Sequence, residues 1–323
     1  MNSSIDMQNY HFDVTEKQNK LRLDTCISHF LPQYTRSYIS RLIKTEAVHV
    51  NQHLKKASYL VKTGDCISIL ITEREQLSAI PEDIPLDILY EDQDILIINK
   101  QAGLVIHPAP GHASGTLVNA LLHYNNQQFS KVDRFGIVHR LDQDTTGCLI
   151  VAKNMQSQNY LNQLFKNRTI EKKYLCLVNG QMKQQKGIID LPIGRHPTHR
   201  KKMSVHAKIS RHAETAWKLS RQFDHFALLE IFLKTGRTHQ IRVHLAAINH
   251  PVVGDQVYGK QRNWEHCQQA VQVCIKKIHR QMLHAHEVGF MHPRTNKFLR
   301  ITAPLPVDMA DVLSVLDVPK LGN

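Results

Sequence analysis

From residue 86 onward the chain carries short apolar runs of strand length, but never in the strict strand–helix–strand rhythm that builds a doubly wound parallel sheet. Ile88-Leu89-Tyr90 and Ile95-Leu96-Ile97-Ile98-Asn99-Lys100 read as strands paired around a Glu91-Asp92-Gln93-Asp94 turn. Gly103, Pro108, Pro110 and Gly111 mark a long loop, Leu117–Tyr124 reads as a helix, and Leu175-Cys176-Leu177-Val178 as a further strand. Neighbouring paired strands with irregular helical insertions predict an α+β domain over residues 86–318, with a mixed, largely antiparallel sheet.

The N-terminal part has a different texture. Residues 1–18 read as a loose, flexible leader. Leu23, Ile27 and Phe30 recur at helical spacing within Leu21–Phe30, and a second helix follows from Arg36 with Ile39, Leu42 and Ile43 on one face. Arg36, Arg41 and Lys44 lie away from that face. Ala47-Val48-His49-Val50 reads as a strand, Asn51-Gln52 as a turn followed by Lys55 and Lys56, and Asp65–Leu70 alternates as a strand entered through Thr63-Gly64. Residues 19–76 therefore form a small α/β unit with a basic helix. The polar stretch Thr72–Asp83, with Glu73-Arg74-Glu75 and the nearby Pro81 and Pro85, supplies a linker over residues 77–85.

The unit over 19–76 resembles the S4-type RNA-binding domain. The likeness is carried by Arg22-Leu23-Asp24, Arg36-Ser37-Tyr38-Ile39, Leu42-Ile43, Val48-His49-Val50-Asn51, Lys55-Lys56 and Val61-Lys62-Thr63-Gly64-Asp65. The resemblance implies that the second helix and the following loop, with Arg36, Arg41, Lys44, Lys55 and Lys56, meet RNA phosphates.

Charge points to the same class of partner. With 41 Lys plus Arg against 28 Asp plus Glu, the net charge is +13, which favours a polyanion, nucleic acid before anionic membrane. No apolar run approaches the ~20 residues of a membrane span, and Met1–Lys20 lacks the apolar segment of a signal peptide. The six cysteines include no C-x-x-C pair, so a reduced, cytoplasmic setting is expected. The pairs His196/His199, His239/His244 and His284/His286 have neither H-E-x-x-H spacing nor a neighbouring cysteine pair, so no metal site is expected. Most of the 21 histidines are assigned to the surface or to RNA-facing positions.

The chemistry concentrates in His139-Arg140-Leu141-Asp142-Gln143-Asp144-Thr145-Thr146-Gly147. The apolar runs Gly136-Ile137-Val138 and Cys148-Leu149-Ile150-Val151-Ala152 flank it, which puts a carboxylate at a strand end facing a cleft. In an extended segment Arg140 and Asp142 point to the same side, and a cation so close would hold Asp142 ionised as nucleophile or base. A structural ion pair beside a turn fits these nine residues equally well.

Further constellations accompany it: Asn99-Lys100-Gln101-Ala102-Gly103-Leu104-Val105-Ile106-His107-Pro108, Glu171-Lys172-Lys173-Tyr174, Thr235-Gly236-Arg237-Thr238-His239-Gln240-Ile241-Arg242-Val243-His244-Leu245, and His250-Pro251-Val252-Val253-Gly254-Asp255-Gln256-Val257-Tyr258-Gly259. In this order they resemble the RluA-type pseudouridine synthases over Asn19 to Asp308. Gln281-Met282-Leu283-His284-Ala285 and Ala303-Pro304-Leu305-Pro306 extend the likeness. An S4-type domain ahead of this core is similar to the branch acting on large-subunit (23S) ribosomal RNA. Gln143, Thr146 and the loop Ala109-Pro110-Gly111-His112-Ala113 depart from the family pattern; none touches the carboxylate.

The resemblance implies an isomerase that breaks the uridine N1–C1′ bond, turns the base and forms a C5–C1′ bond, with no cofactor or metal. It assigns catalysis to Asp142. Tyr174 would stack on uracil, its oxygen helping to remove the C5 proton, and Arg242 would pair with Asp142. Arg140 would fill the space left by the extruded uridine. Arg237 and His239, near a glycine-opened helix start, suit phosphate contact. A monomer acting on RNA, with ribosomal RNA the first candidate, is expected. Two other readings compete. One is a phosphatase using Mg²⁺ and the D-x-D-x-T pattern of Asp142–Thr146, though His139-Arg140 interrupts the strand such a motif normally ends. The other is a non-catalytic RNA-binding or ribosome-assembly factor, which has no need of Asp142, Tyr174 and Arg242 together.

Overall fold

The computed structural model describes residues 7–32, 34, 36–72, 79–108, 114–199, 202–259, 264 and 267–318. The chain divides into two compact units, Met1–Ser78 and Ala79–Asn323. The stretch Glu73-Arg74-Glu75 and the loop Ala109–Ala113 lie outside the described residues.

In the first unit, β1 (Met7–Asp13), β2 (Val48–Val50), β3 (His53–Leu54) and β4 (Cys66–Thr72) form an antiparallel sheet in the order β1-β4-β2-β3. Helices α1 (Leu23–Phe30) and α2 (Arg36–Lys44) supply its core. The period-four apolar positions predicted from sequence do meet: Leu23, Ile27, Ile39, Leu42 and Ile43 cluster with Val48, Val50, Ile67 and Ile69.

The flexible leader expected over 1–18 is corrected from residue 7 onward; residues 1–6 lie outside the described residues. Met7–Asp13 pairs along the whole of β4, from Met7 opposite Thr72 to Asp13 opposite Cys66. Val14 is buried, and the Phe12 ring stacks on Phe30 at 4.6 Å. The strand carries Met7, Tyr10 and Phe12 as large apolar groups among polar ones, a pattern too sparse to read as a strand. It forms because β4 offers a free edge of backbone donors and acceptors, and a polar strand there suits its own exposed rim.

The second unit is built on a nine-stranded sheet. Its strands are β5 (Ile88–Glu91), β6 (Ile95–Lys100), β7 (Thr146–Ala152), β8 (Glu171–Asn179), β9 (Lys186–Asp190), β13 (Glu214–Gln222), β14 (Phe226–Leu233), β15 (Leu283–Met291) and β16 (Phe298–Thr302). They run in the order β5-β6-β7-β15-β8-β14-β13-β9, with β16 on β15. Only β7 and β15 pair in parallel; the other ladders are antiparallel. The mixed, largely antiparallel α+β architecture is thus the one expected. A small second sheet joins β10 (Ile193–Arg195), β11 (Met203–Ser204) and β12 (Ser210–Arg211).

The central strands are buried on both faces, which is why β6 and β7 read as unbroken apolar runs. On one face Leu96, Ile98, Leu149 and Val151 pack with α3 (Leu117–Phe129) and α5 (Gln240–Ala247). On the other, Ile95, Ile97, Cys148 and Ile150 meet α4 (Met155–Asn167). Helices α6 (Gln269–Lys276) and α7 (Val307–Leu316) close a further cluster around Leu177, Leu228 and Met282. Gly147 shows why the strand after Asp142 begins with glycine. At φ +108° a Cβ there would sit 2.2 Å from the Ala285 carbonyl oxygen, so only glycine lets β15 come alongside.

Most of the described histidines are exposed or half-buried, as expected of surface positions, but two of the paired ones are not. His244 and His284 are fully buried: His244 is held between Thr215 Oγ1 and the Leu191 carbonyl, both at 2.9 Å, and His284 Nδ1 lies 2.9 Å from Thr146 Oγ1. Burial lowers the pKa of each, most for His284, to about 4. These are neutral hydrogen-bonding groups of the core, and sequence spacing does not distinguish them from surface imidazoles.

Candidate active site

Asp142 sits in the connection leading into β7, where the chain is turned rather than extended: the Thr145 amide donates to the Asp142 carbonyl at 3.1 Å. The turn is pinned from several sides. Lys100, at the end of β6 and 1% exposed, donates through Nζ to the carbonyls of Gln101, Leu104 and Gln143 at 2.8, 2.9 and 2.7 Å. Arg280 donates to the Asp144 carbonyl at 3.3 Å while its guanidinium grips Asp308 through two 2.6 Å bonds. Gln281 donates to Thr145 Oγ1 at 3.2 Å.

Lys100 spends all three ammonium donors on backbone carbonyls. Burial nevertheless pushes its pKa down from 10.5 to about 8, against the opposing pull of Asp144 and Asp142. Its folded value lies below its unfolded one. Between those two values the unfolded chain binds more protons, so this group makes stability rise with pH. Urea unfolding between about pH 7 and pH 10 should therefore show the wild type gaining on the order of 3 kcal/mol relative to Lys100→Met. Identical pH slopes for the two proteins would contradict this.

The cation against Asp142 is Arg242, not Arg140. Arg242 Nη1 donates to Asp142 Oδ2 at 2.9 Å, while Nε and Nη2 form a fork onto Asp255 at 2.7 and 2.9 Å. The Arg242 side chain is 6% exposed, that of Asp255 0% and that of Asp142 23%. One guanidinium thus joins a buried anchor to a carboxylate that reaches the cleft. Asp255 also accepts from the amides of Val257 and Tyr258 at 2.8 and 3.0 Å. Arg140 and Asp142 both line the cleft, but the ion pair of Asp142 is with Arg242. Arg140 hydrogen bonds Thr238 Oγ1.

His239 and Tyr258 complete the floor. The Met203 amide donates to the Tyr258 oxygen at 2.8 Å, and that oxygen lies 2.8 Å from His239 Nδ1. His239 Nε2 lies 4.0 Å from Asp142 Oδ1. Burial lowers its pKa, against the opposing pull of Asp142. His239 caps α5 in the left-handed region at φ 56°, a conformation that is uncommon for a non-glycine residue and that turns the ring into the site. The Tyr258 ring lies 5.2 Å from the Arg242 guanidinium.

A cavity of ≈80 Å³ opens on this group, bounded by Arg140, Asp142, Tyr174, Arg237, His239 and Arg242 among others. The structure thus brings together Asp142, Tyr174, Arg242, Arg140, Arg237 and His239. Tyr174, on β8, is buried; burial and then Asp142 push its phenol far above the ordinary range, so the group is a neutral phenol. Arg237 donates through Nε to the His212 carbonyl at 3.1 Å.

The remaining expected RNA contacts belong to the first unit. Arg41, Lys44 and Lys56 are exposed there, with Arg41 5.1 Å from the Tyr38 ring, and Lys55 lies 5.3 Å from the Tyr59 ring. Arg36 is already committed, with bonds of 3.0 and 2.9 Å to the buried Asp24. Sequence reasoning assigned no role to Lys100, Asp255, Tyr258 or Arg280. The available signal was an acidic residue directly after the apolar run Val252-Val253-Gly254, and a lysine closing the run Ile95–Ile98.

Asp92, Asp94 and His292 place possible metal ligands within 4.8 Å of one another. Asp92 accepts from the Asp94 and Ile95 amides, Tyr90 and His292, and Asp94 from Asn154, Ser157 and Arg294. Their lone pairs already hold the turn between β5 and β6. Among the described residues no helix is long and apolar enough to cross a membrane.

Residues 94–247 match the family described as RNA pseudouridylate synthase, and residues 21–67 match the S4 domain. The chain is 39% identical over 313 residues to an RNA pseudouridine synthase of Bacillus subtilis (strain 168), covering 96% of this chain and 99% of that one. It is 41% identical over 305 residues to the ribosomal large subunit pseudouridine synthase D of Escherichia coli (strain K12), covering 94% and 93%. Among solved structures, human RNA Pseudouridylate Synthase Domain Containing 1 superposes with a TM-score of 0.55 at 27% identity, over 69% of this chain and 84% of that one.

Proposed function

We propose large-subunit ribosomal RNA as the substrate of this chain, which belongs to the RNA pseudouridine synthase family and is an isomerase converting uridine to pseudouridine in RNA. The name of the Escherichia coli relative and the near-complete overlap with it support that choice. So does the basic S4 unit, whose exposed Arg41, Lys44 and Lys56 suit phosphate contact. The six cysteines are all free thiols, which supports work in the reducing cytoplasm. The chain is proposed to act as a monomer.

The observation that carries the site reading is the Asp255–Arg242–Asp142 chain at the cleft. The reaction breaks N1–C1′ and forms C5–C1′; the C5 proton leaves and N1 regains one, so atoms and electrons balance within the nucleotide. Asp142 is the one carboxylate among the residues lining the cleft, so it is assigned the attack or base chemistry of the isomerisation. Arg242 holds it in place through the 2.9 Å bond from Nη1. Tyr174, held as a neutral phenol, contributes its ring as a stacking surface and its O–H as a donor. A phenolate base at that position would have to overcome both burial and the Asp142 charge. Arg140 stands at the mouth, where it can fill the gap left by an extruded uridine, an event that costs a few kcal/mol. Arg237 and His239 are assigned to phosphate.

Mapping pseudouridine in ribosomal and transfer RNA from cells with and without the gene tests the substrate. Loss of large-subunit sites is expected. Intact large-subunit sites with missing transfer RNA sites would refute the ribosomal assignment and leave the chemistry standing.

A further inference from the structure

Arg140 and Tyr174 border two cavities. One is the Asp142 cleft; the other, ≈390 Å³, lies against the same residues and shares Leu233, Gly236 and Arg237 with it. Val138, Phe165 and Leu233 give this second cavity an apolar side. Arg140, Lys166, Arg168, Lys172, Lys234 and Arg237 give it a cationic one, and no carboxylate lines it. Of these six cations, Lys234 alone has an ion-pair partner among the described residues, Glu214 at 2.9 Å.

The chain is folded so as to concentrate this charge. Lys166 and Arg168 close α4, which Arg168 ends in the left-handed region at φ 61°. Lys172, the second residue of β8, stands two before Tyr174 and lies 5.8 Å from the Phe165 ring, which stacks on His139 at 4.9 Å. Burial, and after it Arg168, lowers the Lys172 pKa, as expected of an ammonium without a counter-ion. Six like charges with a single carboxylate, Glu214, beside them repel one another, and an incoming polyanion relieves that repulsion. An aromatic surface beside a cationic rim is also the usual composition of a seat for one unit of single-stranded nucleic acid.

We propose that this cavity seats the nucleotide adjoining the target uridine on the same strand, its base against Phe165 and its phosphate on the cationic rim. The inference rests on the reading of this chain as an enzyme acting on RNA. It assigns the neighbouring nucleotide a place through Lys166, Arg168, Lys172 and Phe165, beyond the contacts already given to Arg140 and Arg237.

The test uses the full chain and tritium release from a large-subunit ribosomal RNA transcript labelled at uridine C5, with KM measured across a KCl series. Lys166→Gln/Arg168→Gln should raise KM and flatten the log–log salt dependence of 1/KM by about 1.4, the slope of two single-strand phosphate contacts. The charge-restoring pair Lys166→Arg/Arg168→Lys should recover the slope. Lys183→Gln/Lys186→Gln, which removes the same charge at and just before the edge strand β9, should leave it unchanged. Phe165→Leu should raise KM by about fivefold or more with the slope intact. An unaltered slope in Lys166→Gln/Arg168→Gln, or an equal flattening in the β9 pair, would overturn the phosphate site. An unaltered KM in Phe165→Leu would overturn the base seat. A wild type silent on this RNA but active on transfer RNA would overturn the ribosomal assignment alone, and the same salt series on transfer RNA then decides the cavity.

Discussion

Asp142→Asn should lower the single-turnover rate of uridine isomerisation by about four orders of magnitude or more, while RNA affinity stays within a few fold. The substitution keeps shape and an acceptor for Arg242 but removes the charge, and an amide neither attacks a nucleoside nor takes a proton. No neighbouring carboxylate can take over. Asp144 does not line the cleft, because the turn closed by the Thr145 amide carries it away from Asp142. The same turn disposes of the phosphatase reading: Thr146, third member of the D-x-D-x-T pattern, is buried with its hydroxyl engaged by His284. Tritium release from C5-labelled RNA under excess enzyme measures the loss, and thermal unfolding checks that the fold survives. Product from Asp142→Asn above about a hundredth of the wild-type rate would remove Asp142 from the chemistry.

Strand and helix identity was legible wherever one physical signal dominated. The runs Ile95–Ile98 and Cys148–Ala152 are strands buried on both faces and look it, and the amphipathic spacing of Ile39, Leu42 and Ile43 placed α2. Met7–Asp13 was not legible, because an edge strand is selected by the free backbone of its partner rather than by its own side chains. The candidate site was legible in residue types: Asp142, Tyr174 and Arg242 do converge, though β7, β8 and α5 are far apart in sequence. The ion-pair geometry was legible only through the resemblance, which paired Arg242 with Asp142. Sequence proximity alone favoured Arg140, because the approach of α5 cannot be read from the residues around Asp142. The supporting residues were the least legible. Lys100 and Asp255 look like the ends of apolar runs, and their burial is decided only when β6, α5 and the segment after His250 are packed together.

Asp255→Asn should reduce kcat by about 10²–10³-fold, with a smaller change in KM and a lower thermal midpoint. Asp255 does not line the Asp142 cleft, and its side chain is 0% exposed. Its effect must pass through Arg242, which makes it a positioning residue. Replacing one carboxylate oxygen by NH₂ sets a donor against a guanidinium donor and leaves a 6%-exposed cation with half its compensation. Removing one partner of such a buried pair costs about 3–5 kcal/mol. Part of that falls on folding. The rest falls on the site, because Arg242 recovers charge balance only by shifting onto Asp142, away from the Tyr258 ring and out of register with His239. Arg242→Lys separates charge from geometry. It keeps the cation, but one ammonium cannot reproduce the fork on Asp255 together with the bond to Asp142. Its kcat should fall by a similar factor. If the two residues act as one unit, the double variant Asp255→Asn/Arg242→Lys should be little slower than either single variant. Losses that multiply in the double variant would mean that Asp255 supports the reaction by a route other than Arg242.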